Sequence, residues 1–84
     1  MSKIDEAQTA ISAAKDSLDQ AVTAIGAAAQ QAEEAGEVLE AAGAEANAQL
    51  LVQCKETIDR VAQAVTAAND LLDEANQQAE AGKG

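Results

Sequence analysis

Residues 4–25 read IDEAQTAISAAKDSLDQAVTAI, and the spacing of the large aliphatics in this stretch decides the fold. Ile4, Ile11, Leu18 and Ile25 stand seven apart, and the series runs on through Ala32 and Leu39. Three residues after each comes an alanine: Ala7, Ala14, Ala21, Ala28, Ala35 and Ala42. The second half repeats the device with Leu51, Ile58, Val65, Leu72 and Ala79, partnered by Cys54, Val61, Ala68 and Ala75. A strict seven-residue repeat belongs to helices that wind around a partner, with the first series at position a of the heptad and the second at position d. Small residues at d predict an unusually close approach of the two backbones, because no bulky side chain holds them apart.

The two series fall out of step between Leu39 and Leu51, so a break lies between them. Gly43 is the residue there that ends a helix most easily. The expected layout is a single domain over 1–84: a helix over 3–42, a turn around Gly43 and a helix over 45–81. Ser2 is placed to cap the first helix, with Asp5 at the capping-box position and Glu6 beside it. Gly36 lies in phase with the repeat and reads as a kink or weak point. An antiparallel hairpin centred on Gly43 pairs residues whose numbers sum to about 86 by the symmetry of an α-helical turn. Ile11, Ala14, Leu18, Ala21, Ile25 and Ala28 then face Cys54, Ile58, Val61, Val65 and Leu72 and their neighbours, mostly large against small. A register one heptad later, turning near Asn47, ranks second because it spends helix-forming residues on a loop. The fold class is all-α: an alanine-rich, two-helix antiparallel coiled coil.

Composition supports a rod and argues against a round core. Isoleucine, leucine and valine supply 15 of the 84 residues, and there is no aromatic residue. A chain this short with so little bulk cannot close a globular core. The 23 alanines supply high helix propensity, and the absence of proline leaves no enforced break. Fifteen carboxylates against five basic residues, a net charge of −10, argue against nucleic acid and anionic membrane surfaces as partners. One cysteine cannot form an internal disulfide, and no apolar run resembles a signal peptide or a membrane span. Cytoplasmic localisation is therefore expected.

Charges of the first helix sit on outer positions: Asp5, Glu6, Asp16, Asp19, Glu33, Glu34, Glu37 and Glu40. Positions e and g, which flank the seam and carry charge in an ordinary two-stranded coil, hold Ala10, Val22, Ala24, Ala29 and Val38 in the first helix. The second helix has Ala48, Leu50, Ala62, Ala64 and Leu71 there. So broad an apolar stripe covers more than one partner helix. Val22, Val38, Leu50 and Leu71 are the candidate interaction residues. The expected partner is a second copy of the chain, completing a four-helix bundle, or another helical protein.

Nothing in the chain assembles catalytic chemistry. There is no histidine, Cys54 has no base beside it in the expected pairing, and adjacent carboxylates such as Glu33 and Glu34 diverge around the helix. No phosphate-binding glycine loop occurs. Neither enzyme activity nor a cofactor or metal is expected. Lys15, Lys55 and Arg60 are expected in surface ion pairs, for instance Arg60 with Glu56.

The length, the mid-chain Gly43 and the antiparallel pairing resemble the small WXG-type hairpins exported by type VII secretion, which form dimers. Their Trp-x-Gly turn and tyrosine-based export signal have no counterpart in a chain without aromatics. Gln30, Gln31, Glu33 and Glu34 resemble the methylation sites of the chemoreceptor cytoplasmic hairpin, without the following Ala-Ser or Ala-Thr. The expected function is a non-enzymatic helical-hairpin assembly module. The first resemblance implies an alternative, an exported effector or carrier acting with a partner protein. The acidic surface supplies another, a mimic of DNA that occupies a basic protein.

Overall fold

The computed structural model describes residues 2–84 and is entirely helical between its turns. Helix α1 spans Lys3–Ala41 and helix α2 spans Glu45–Gly82. They pack against each other along their length as an antiparallel hairpin measuring 64 × 16 × 11 Å. Thirty-nine residues at about 1.5 Å each make a helix of nearly that length, so the molecule is little more than two helices side by side.

Local chemistry fixes both ends of α1. The Ser2 side chain accepts the Asp5 amide at 3.1 Å, and Asp5 and Glu6 place negative charge in the first turn. At the other end Gly43 adopts a φ of +82°, which costs a residue bearing a Cβ about 1 kcal/mol or more. That conformation lets the Gly43 amide donate to the Glu40 carbonyl at 3.0 Å and the Ala44 amide to the Leu39 carbonyl at 2.9 Å. This pair of bonds is the Schellman arrangement, which satisfies carbonyls that the ending helix would otherwise leave unpaired. Asn47 lies inside α2. No side chain caps the start of α2, because Ala44 occupies the cap position.

The register is read from facing residues. A side chain at Gly82 would meet Ile4 and one at Gly36 would meet Leu51, pairs whose numbers sum to 86 and 87. Ile11, Ala14, Leu18, Ala21, Ile25, Ile58, Val65 and Leu72 are all half-buried along this seam. Ala28, Cys54 and Val61 are not on it: all three are exposed, as is Ala35. Near the turn the contact line has moved from positions a and d to positions a and e. Ala29, Ala32 and Gly36 now face Ala48, Leu51 and Lys55. The cause is closure of a turn this short, which draws the backbones together where the side chains are smallest. An added Cβ on Gly36 would stand 3.4 Å from the Leu51 Cβ and 3.7 Å from the Ala48 carbonyl. Gly36 is therefore the point of closest approach, not a kink, and α1 runs through it unbroken.

One polar residue beside the seam is left partly unpaired. Asn69 is half-buried; its amide donates to the Asp19 carboxylate at 3.4 Å, and its own carbonyl oxygen has no partner. An unsatisfied buried acceptor costs on the order of 1 kcal/mol or more. Asn69→Leu removes that acceptor and adds aliphatic surface to the seam, so its denaturation midpoint should rise by an equivalent of about 1 kcal/mol. A lower midpoint would mean that the Asp19 bond outweighs the orphaned oxygen.

Candidate functional site

Four polar contacts cross between the helices, and all fall on one side of the rod. Gln8 donates to Glu80 at 2.8 Å, Lys15 pairs with Asp73, Asn69 donates to Asp19, and Lys83 pairs with Asp5 at 3.2 Å. In heptad terms each joins position e of one helix to position b of the other. In an antiparallel pair the e and b positions of both helices lie on the same side of the seam, and the d and g positions lie on the opposite side. The hairpin thus has two unlike flanks.

The second flank carries almost no charge. Of the 20 charged residues only Lys3, at the far end, occupies a d or g position in either helix. The flank instead presents alanines from α1, with Val38 near the turn, and Leu50, Cys54, Val61 and Leu71 from α2. These larger groups stand in water: Val38 is 68% exposed, Leu50 58%, Val61 47% and Leu71 63%. Of the four expected interaction residues, Val38, Leu50 and Leu71 lie together here. Val22 does not join them. It follows Lys15 by one heptad and so faces the charged flank, 44% exposed. Val61 and Cys54, expected in the seam, belong to the uncharged flank, and the outward rotation of the d positions through the turn-side half of the hairpin puts them there. Periodicity alone could not assign them, because a and d read identically whichever side the partner takes. Charge could have done so: the uncharged run of d and g positions is visible in the sequence once both helices are laid out in antiparallel register.

The charged flank has its own structure. At the end holding both termini, Lys83 bridges Asp5 and Glu80, the latter at 3.4 Å. The Lys83 ammonium, followed by the Ser2 hydroxyl, holds the Asp5 carboxyl below its ordinary value. The Gln8 amide, followed by Lys83, does the same for Glu80. Asp73 raises Lys15, and Asp5 raises Lys83. Both carboxyls are depressed, so their contribution is present above the unfolded-state range, near pH 4, and is lost as acid protonates them. The amides of α2 beyond Gln78 should shift toward random-coil NMR positions as pH falls from 5 to 3; an unchanged spectrum would show that the clasp holds nothing. Closer to the turn, Lys55 pairs with Asp59 at 3.1 Å, and the expected Glu56–Arg60 pair does not form.

Next to the turn an open groove of about 370 Å³ runs between the helices, floored by Ala32, Gly36 and Ala48 and edged by Glu33, Glu37, Glu40 and Lys55. It is the hollow left by the smallest seam residues. Among the described residues no group of three or more thiols and carboxylates is placed to hold a metal ion. Among the described residues no helix is long and apolar enough to cross a membrane. Comparison with protein-family models, curated proteins and solved structures finds no match to this chain.

Proposed function

We propose that the chain is a non-enzymatic assembly module: a helical hairpin that associates with itself through its uncharged flank and completes a four-helix bundle. The observation that carries this reading is the lack of a closed core. Among the described residues only Ala32, Gly36 and Ala48 are buried, the two alanines at 7% exposure each, and no side chain is fully buried. A hairpin alone therefore covers its aliphatic residues only in part, whereas a second hairpin laid on the flank would enclose the seam of both. Solvation of the remaining surface by 15 carboxylates keeps such an alanine-rich assembly from associating further.

Sedimentation equilibrium tests the proposal directly. A dimer is expected at tens of micromolar, with helicity unchanged between dimer and subunit. A monomer over that range would remove self-assembly and leave the flank as a landing surface for a different protein.

A further inference from the structure

We propose that the two copies lie turn to turn, flank on flank, so that α2 of each packs over α1 of the other about a twofold axis parallel to the rod. This rests on the self-assembly reading and adds the face and the alignment. Three observations carry it.

The first is charge. Each copy bears −10, so two copies repel wherever their carboxylates meet. The e/b flank presents Asp5, Asp19, Glu33, Glu40, Asp59 and Asp73 against only Lys15, Lys55 and Lys83, an acidic excess that disfavours it as a contact between identical chains. The d/g flank asks for no desolvation of charge along its length, apart from Lys3 at the tip.

The second is area. The hairpin exposes 5836 Å² for 8.5 kDa, against roughly 4,700 Å² for a compact monomer of that mass. The difference of about 1,100 Å² exceeds the ~800 Å² that each partner contributes to a standard stable interface. A standard interface with one further copy can therefore be drawn from this excess surface alone.

The third is shape. On this flank the large residues come mostly from α2, and α1 opposes them with small ones except at Val38, which stands level with Leu50 near the turn. By the observed register Leu71 lies level with Ala14 and Ser17, Val61 with Ala24 and Ala28, and Leu50 with Ala35. A turn-to-turn dimer sets each large group of α2 onto the small stripe of the partner's α1, as knobs onto a surface that admits close approach. The inverted dimer stacks α2 on α2 and α1 on α1. Leu71 would then meet Thr57 and Leu50 would meet Gln78, while the α1 pair would be alanine on alanine. Large on small is the better fill.

Two measurements on the full chain separate the parts. Leu71→Glu and Ala24→Glu, both at exposed positions, should lose the dimer at tens of micromolar while keeping their helical circular dichroism. Val52→Glu, on the charged flank, should keep it. For alignment, Gln49→Cys in a Cys54→Ala background carries a spin label near the turn. Turn-to-turn copies place the two labels within about 35 Å, whereas inversion separates them by about 45 Å or more along the axis at 1.5 Å per residue. A wild-type monomer overturns self-assembly itself. A dimer lost with Val52→Glu and kept with Leu71→Glu and Ala24→Glu overturns the face alone, and labels beyond 45 Å overturn the alignment alone.

Discussion

Gly36→Leu is expected to destabilise the hairpin by about 1–3 kcal/mol, the range for overfilling a packed contact, while Gly36→Ala stabilises it by about 1 kcal/mol. The opposite signs come from one geometry. A methyl at this site would meet the Leu51 Cβ at 3.4 Å and the Ala48 carbonyl at 3.7 Å, ordinary van der Waals distances that need no shift. It would also remove the conformational freedom that a mid-helix glycine gives the unfolded chain. Three more carbons must either push against Leu51 and the α2 backbone or turn out into the open groove, where they leave the packed contact, and the nearby turn cannot widen while Gly43 and Ala44 are tied to α1. For a chain of this size, 1 kcal/mol moves the melting temperature by roughly 4–8 °C, so thermal denaturation resolves both effects. A leucine variant that melts higher than the parent would show that the helices near the turn are not in close contact.

Gly36 also marks where the sequence stops being legible. Helix type, helix number and reversal follow from the heptad and its phase shift between Leu39 and Leu51. The side of the seam does not follow. Alanines stand three residues after every a position of α1, and small residues also stand four after it at Ala29 and Gly36, so pattern alone leaves a/d and a/e nearly equivalent there. Turn closure breaks the tie in favour of the smallest pair, and that choice sends Ala28, Cys54 and Val61 outward. The candidate interaction residues are legible as aliphatics flanking the seam, but their division between two flanks depends on Lys15, Asn69 and Lys83 crossing on one side only. An apolar stripe identifies a surface; the charges around it identify which surface.

Ile58→Ala is expected to cost about 2–5 kcal/mol at concentrations where the dimer forms, the usual range for truncating an enclosed aliphatic. On dilution to where the hairpin stands alone the cost should fall to roughly 1 kcal/mol, since loss of a half-exposed side chain leaves no sealed cavity. Ile58 suits the test because it sits at an a position in the middle of α2, half-buried against α1 and adjacent to the uncharged flank. A second hairpin on that flank closes over it, and one on the charged flank does not. The parent should behave in parallel, its melting temperature rising with concentration, because association with a folded partner adds to the stability of the folded state. Chemical denaturation of both chains at two concentrations, about a hundredfold apart, gives the four values required. Equal costs of Ile58→Ala at both concentrations would mean that the partner never reaches the seam. Leu50, Val61 and Leu71 would then be left with no role in enclosing a core.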